Sequence, residues 1–486
     1  TNEETSPSVK PCLERVRCAT SLAWTSASIN TWIAIRFSLV CCQTQINALL
    51  VHDETPPPLG DSRRAAHADS PKHRARMGAR DGVFPRDDGS EPSTSTSPLE
   101  FKVLATDGRA RATTLKLPHY ECRTPMFMPV GTQGSVKGLT SKQLEEIGCQ
   151  VILGNTYHLG NRPGADVLAK AGGLHGFMNW RRAMLTDSGG FQMVSLLNLA
   201  DITEEGVTFQ SPTDGKQMLL TPEKSIHIQN DIGADIIMAL DDVVSSVTAD
   251  RVRFEEATHR TTRWIDRCIA AHKRPHEQCL FGIVQGGLDL DLRDVSLKGL
   301  LARGDALPGM AVGGLAGGES KEDFVRVVSH CTARLPDHKP RYVMGVGYPL
   351  DLVLCTALGA DMYDCVYPSR TARFGTALIP EGFLRLKSSN LEHDHRPIDE
   401  SCDCLTCKTY TRAQMHAIAT KEPRAAQLLT IHNLRYQMRL CAAMHQAIID
   451  KKFGDFVRNF INTQFPNGSA PEWVRQALRY AEIELY

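Results

Sequence analysis

The sequence predicts an α/β fold, a (β/α)8 TIM barrel followed by a small metal-binding subdomain near the C-terminus. Three observations predict it. Short apolar runs recur eight times after residue 101, helical patterns lie between many of them, and a Cys-x-Cys-x-x-Cys run follows the last. Near-continuous runs of Val, Ile, Leu and Met suit strands buried on both faces of a parallel sheet. Eight such similar units alternating with helices favour a closed barrel over a doubly wound open sheet. No Gly-rich phosphate fingerprint follows the first run.

The first hundred residues are of another kind. "HDETPPPLGDSRRAAHADSPKHRARMGARDGVFPRDDGSEPSTSTSPLE" is dominated by Ser, Thr, Pro and charge. It cannot bury enough apolar area to offset its ordering entropy. The moderately apolar stretch before it is interrupted by Arg36, Gln43 and Gln45, against a spanning helix. Glu3, Glu4 and Glu14 spoil a transit peptide, and the first Met is Met77. Residues 1–97 are expected to be a disordered or non-native extension. Over the whole chain 55 Lys and Arg balance 55 Asp and Glu, so any nucleic-acid contact must come from a local patch. The 15 cysteines are odd in number and scattered, which suits a reducing compartment with some thiols reserved for metal.

The strands follow in order. They are "MFMPVGT" (126–132), "VILGNTY" (151–157), "MLTDSGG" (184–190), "IIMALDD" (236–242), "LFGIVQGG" (280–287), "GMAVGGL" (309–315), "YVMGVG" (342–347) and "MYDCVYP" (362–368). "TSKQLEEIGCQ" opens a helix with Thr140 or Ser141 as N-cap and ends it near Gly148. Between the third and fourth strands, "GVTFQSPTDGKQMLLT" reads as a hairpin turning at Asp214-Gly215. A helix capped by Thr221, with Pro222 at its first position, comes next. This insertion is expected over the barrel mouth. In the helix after residue 250, Thr261, Trp264, Ile265, Cys268 and Ile269 share one face. After the eighth strand the chain is expected to kink at Pro368 into a loop carrying Arg370 and Arg373.

The last residues of these runs are Asp187, Asp241, Gln285, Gly314 and Asp364. A barrel brings strand ends to one mouth. Singly, Asp187 or Asp241 reads as a loop cap. Together, three carboxylates and an amide would repel unless something donor-rich binds there. Two carboxylates can accept the N1-H and 2-amino protons of a guanine-like base, while an amide and a backbone N–H reach its O6. Phe191 and Met344 either sandwich the ring or belong to the core.

"TDSGGFQM", "DCVYPSRTARFG" and the later cysteine run with a distant His resemble the tRNA-guanine transglycosylase family, over about residue 101 to near the C-terminus. The resemblance implies exchange of guanine at wobble position 34 of GUN anticodons for queuine, through a covalent glycosyl-aspartate. It makes Asp364 the nucleophile and Asp187 the proton acceptor. Base binding would fall to Asp187, Ser188, Gly189, Gly190, Phe191, Asp241, Gln285, Gly314, Leu315 and Met344. Ser369, Arg370, Thr371, Ala372 and Arg373 would bind RNA.

"SCDCLTC" places Cys402, Cys404 and Cys407 close enough to share one zinc ion. His432, on a predicted helix, would complete a structural Cys3His site. His393 and His395 compete for that place, and the resemblance favours His432. Gly317 and Val243 stand where bacterial members typically carry Val and Cys, which matches the eukaryotic type and makes room for the substituent of queuine. The resemblance further implies tRNAs for Asn, Asp, His and Tyr as substrates and a heterodimer with a non-catalytic accessory subunit. The implied location is the cytoplasm, with peripheral association at the mitochondrial outer membrane a further option. The rival reading, that this chain is itself the accessory subunit, is opposed by the presence of both Asp364 and Asp187. A barrel hydrolase acting on a free nucleoside would need neither the arginines nor the cysteines. The expected division is a barrel over 98–390, a zinc subdomain over 391–445 and C-terminal helices over 446–486.

Overall fold

A computed structural model describes residues 97–191, 201–210, 215–248, 250–419 and 421–485. Save for Ser97, the extension expected over 1–97 lies outside the described residues. The described chain opens on an antiparallel sheet that the apolar-run criterion passes over: β1 (Glu100–Asp107), β2 (Ala110–Lys116) and β3 (Glu121–Thr124). β1 is a largely exposed edge strand and alternates instead of running apolar. Leu115, Leu117 and Cys122 join Met126, Phe281, Tyr342 and Met362 in one apolar cluster. The sheet therefore closes the amino-terminal end of the barrel.

The barrel begins with β4 (Met126–Gly131), β5 (Val151–Gly154) and β6 (Ala183–Thr186). An antiparallel insertion follows, β7 (Asp201–Ile202), β8 (Val207–Gln210) and β9 (Gln217–Leu220). The barrel resumes with β10 (Ile236–Met238), β11 (Cys279–Val284), β12 (Gly309–Val312), β13 (Arg341–Val343) and β14 (Met362–Cys365). These eight strands close in the order β10-β11-β12-β13-β14-β4-β5-β6, all parallel. Side chains alternate as a strand requires: Met126 and Met128 face the barrel interior, and Phe127 faces the outer layer.

The strands end earlier than the apolar runs suggest. Asp187 and Gln285 lie one residue past β6 and β11, Gly314 two past β12, and Asp241 three past β10. Of the five, Asp364 alone sits within its strand. The other four occupy the first residues of the loops, where backbone leaves the ladder and side chains can turn inward.

The helices follow their caps. Thr140 forms a capping box with Gln143 at the start of α1 (Ser141–Glu146). Thr221 accepts from the Lys224 N–H at the start of α2 (Pro222–Ile232). The expected turn residue Asp214 lies outside the described residues, while Gln210 pairs with Gln217 as a hairpin requires. In α3 (Arg251–Ala271), Thr261, Trp264, Ile265 and Cys268 are buried and Ile269 is half-buried. The polar edge of α3 holds the insertion: Arg263 pairs with Glu204 at 2.7 Å, and Arg267 pairs with Glu223 at 2.7 Å.

α4 (Leu290–Leu301), α5 (Lys321–Thr332) and α6 (Pro349–Ala357) complete three further βα units. The expected loop at Pro368 is instead a helix, α7 (Tyr367–Arg373). Proline there occupies the first turn, where its missing N–H is not needed and its fixed φ starts the helix. The hairpin β15 (Thr376–Ile379) and β16 (Gly382–Arg385) leads to the cysteine region and to α8 (Pro423–Ile449). The 445/446 division falls inside α8. Among the described residues no helix is long and apolar enough to cross a membrane.

Candidate active site

β14 carries Asp364 to the mouth. Its Oδ1 accepts the Gly345 N–H at 2.9 Å and the Tyr342 hydroxyl, while Oδ2 accepts from none of the described residues. One oxygen is thus pinned by two donors and the other is left without one among the described residues. Burial raises the Asp364 carboxyl above its ordinary pKa, opposed by these two donors. The Tyr342 hydroxyl is held well up by burial, then by Asp364 and also by Asp187, so both acids act on one phenol.

Asp187 is oriented from the neighbouring strand end. Asn155 Nδ2 donates to its Oδ2 at 2.6 Å, and the Thr156 and Gly189 N–H groups donate to Oδ1 at 2.9 and 3.1 Å. Asn155 and Thr156 are functional positions that the choice of carboxylates passed over. The signal was present, since both directly follow β5 as Asp187 follows β6.

Asp241 is buried among donors. Gln285 Nε2 donates to Oδ2 at 2.6 Å and the Ser188 hydroxyl to Oδ1 at 3.2 Å. Burial pushes its carboxyl up to about 6; Gln285 and Ser188 oppose the shift and Asp242 adds to it. Gly314 abuts this pair. A Cβ there would stand 2.4 Å from Gln285 Oε1, and its φ of +67° lies in the region that favours glycine. Helix α2 locks the arrangement from behind: Ser225 donates to the Ser188 carbonyl at 2.7 Å. Gln229 bridges Thr186 and the Met238 backbone.

Phe191 is 56% exposed and is not a core residue. Met344 is half-buried against the barrel interior, and Leu315 is buried beside Gly314. On α7, Arg370 and Arg373 are exposed and Ser369 and Thr371 half-buried. Ala372 is buried in the apolar cluster with Leu386 and Met415, so its side chain faces protein. The fully buried Asn433 on α8 clamps this helix. Its Nδ2 donates to the Pro368 and Thr376 carbonyls at 3.0 Å each, and its Oδ1 accepts the Leu378 N–H at 2.8 Å.

The donor atoms of Cys402, Cys404, Cys407 and His432 all lie within 4.8 Å of one another. His432 Nδ1 stands 3.7 Å from Cys404 Sγ and 3.3 Å from Cys407 Sγ. Tetrahedral zinc puts such S and N donors roughly 3.6 Å apart. His432 Nε2 is 2.8 Å from the Leu378 carbonyl, which fixes its proton there and leaves the Nδ1 lone pair for metal. The residues fit a closed metal site. His393 and His395 are exposed and outside the cluster.

A family model described as queuine tRNA-ribosyltransferase matches residues 107–466. The queuine tRNA-ribosyltransferase catalytic subunit of Schizosaccharomyces pombe is 51% identical over 404 residues, 81% of this chain and 99% of that protein. The catalytic subunit of Caenorhabditis elegans is 48% identical over 402 residues, 80% and 100% of the two chains. The queuine tRNA-ribosyltransferase of Thermus thermophilus is 50% identical over 382 residues, 78% and 98%.

Proposed function

Because this chain belongs to the queuine tRNA-ribosyltransferase family, we propose that it exchanges guanine at the wobble position of tRNA for queuine by double displacement. The observation that carries the mechanism is Asp364, with Oδ1 pinned and Oδ2 free beside the Asp241–Gln285–Gly314 floor. Oδ2 attacks the ribose C1′ as the glycosidic bond breaks, leaving a glycosyl-aspartate. Asp187 takes a proton from the incoming base, whose nitrogen then displaces Asp364 from the opposite face. Two inversions give retention. Asp241 accepts the base's N–H groups while Gln285 and backbone near Gly314 address its carbonyl. The exposed Arg370 and Arg373 hold the RNA backbone around the extracted nucleotide.

The Cys3His cluster would hold zinc, and its role is structural because four protein ligands leave no open position. Gly317 and Val243 support queuine over a smaller base. The reading also includes tRNAs for Asn, Asp, His and Tyr and a heterodimer with the accessory subunit. It puts the work in the cytoplasm, with any mitochondrial outer-membrane association peripheral.

The test is adduct formation with labelled tRNA, resolved under denaturing conditions. Wild type should trap a covalent RNA species and incorporate labelled guanine. Asp364→Asn should give neither while still binding tRNA. Asp187→Asn should suppress turnover yet retain slow adduct formation, because its attacking carboxylate survives. A stable adduct with Asp364→Asn would move the nucleophile to another carboxylate at the mouth.

A further inference from the structure

Arg293, on the first turns of α4, is 0% exposed and makes no ion pair among the described residues. Its guanidinium donates to three backbone carbonyls instead. Nε reaches Gly287 at 2.9 Å, and Nη1 reaches Val284 at 2.7 Å and Gly313 at 2.8 Å. Nη2 is buried with no partner. It stands 3.6 Å from where a Gly314 Cβ would be, directly behind the base-binding floor. A buried charge without a counter-ion is costly and persists only where something repays it. The site compounds the cost, since the N-terminal end of a helix already carries positive potential.

Two of the three carbonyls, Gly287 and Gly313, belong to the loops leaving β11 and β12, which carry Gln285 and Gly314, and the third, Val284, ends β11. The packing is tight: at Gly286 (φ +131°) a Cβ would lie 2.7 Å from the Arg293 backbone nitrogen. Ser296, one turn further along α4, accepts the Gln285 N–H at 3.0 Å. One helix thus fixes both floor loops and points an uncompensated cation at them, while the carboxylates Asp187, Asp241 and Asp364 line the mouth.

We propose that Arg293 is a positioning residue for base exchange, pinning the Gln285 and Gly314 loops and supplying the positive field beneath the purine that stabilises its departure. This rests on the transglycosylase reading. As the C1′–O bond to Asp364 forms, the electron pair of the C1′–N bond passes to the purine and spreads to its exocyclic oxygen, over Arg293. A proton from solvent neutralises the base afterwards. A fixed charge aimed at a developing anion is worth far more in a water-excluded site than in bulk.

The experiment uses synthetic anticodon stem-loops carrying guanine analogues of graded N–H acidity at the target position, with single-turnover adduct formation as readout. Arg293→Gln should slow guanine expulsion roughly 10²-fold. The most acidic analogue should lose far less, steepening the dependence on leaving-group acidity, and RNA affinity should stay within about two-fold. Arg293→Lys keeps the charge and loses the pins, so all analogues should slow together with the wild-type dependence retained. An equal fall across analogues with Arg293→Gln would reduce Arg293 to a structural role. If Arg293→Gln does not fold, Arg293→Lys decides: a dependence steeper than wild type overturns the proposal. Wild-type enzyme forming no adduct with any analogue would instead overturn the transglycosylase reading itself.

Discussion

Asp241 shows how one residue sets opposite pH demands on folding and on binding. Its folded pKa of about 6 lies above the ordinary aspartate value, so the fold favours the protonated form. Its contribution to stability is present below about pH 4 and is lost as pH rises through 6. Base binding needs the carboxylate, so affinity for free guanine should rise across the same interval. Measured against pH from 5 to 7.5, the base KM should fall with a midpoint near 6, and Asp241→Asn should abolish that inflection. On the proposed reading Gly317 sets the size of the base pocket. A Cβ there would lie 2.7 Å from the Ser246 hydroxyl, which donates to Glu319 at 2.6 Å. Gly317→Val should cut kcat/KM for queuine by roughly 10-fold or more while guanine exchange changes little. Equal loss for both bases would mean that Gly317 serves loop geometry through the Ser246–Glu319 contact.

At the level of elements, α8 ties the Cys3His cluster to α7, the helix proposed to face RNA. Consecutive residues do it: His432 contributes to the Cys3His site and Asn433 clamps the Pro368, Thr376 and Leu378 backbone. Asn433→Ala removes three hydrogen bonds to backbone, which should cost on the order of 2–3 kcal/mol. Denaturant unfolding should register that loss. Exchange assays should show a lower kcat and a weaker tRNA affinity with the free-guanine KM unchanged, because the base floor lies on other loops. Chelation of the metal should reproduce the same pattern, since it releases the same helix. A chelated enzyme with full exchange activity would separate the two.

Across the whole molecule, the turn between β2 and β3 is fastened to the start of β10. His119 Nδ1 and its backbone N–H both reach Asp235 Oδ1, at 2.8 and 2.9 Å, and the His119 and His175 rings stack at 3.7 Å. The hydrogen bond to Asp235 raises the His119 pKa. Asp235, despite burial that pushes it up, is drawn down to about 2 by the two histidines. The histidine's contribution is complete below about pH 6.5 and fades as pH rises through its raised value; the aspartate's is present above about pH 4 and fades toward 2. His119→Ala should therefore lower the melting temperature more at pH 5.5 than at pH 8.5, the stability loss at the lower pH being about 1 kcal/mol. At this scale much was legible in the amino acids. The eight barrel strands declared themselves because strands buried on both faces read as apolar runs. β1 did not, because it alternates: Phe101, Val103 and Ala105 are separated by other residues, and no long continuous apolar run forms. Pro368 was misleading, since the same residue that breaks a helix interior begins one at its first turn. Asp187, Asp241 and Asp364 stood out as acids at strand ends. Asn155 and Arg293 did not, because an amide after a strand and an arginine in a helix are ordinary until distances show what they hold.

The barrel interior is packed solid with Met126, Met128, Phe281, Tyr342 and Met362, and β2 and β3 cover its far end, so the strand-end acids are approached from the mouth. On the proposed mechanism guanine then leaves by the opening through which its replacement enters, while the ribose stays tethered to Asp364. Whichever base is in excess then blocks the other, so local concentrations of the two bases, as much as their affinities, decide which one the RNA leaves with.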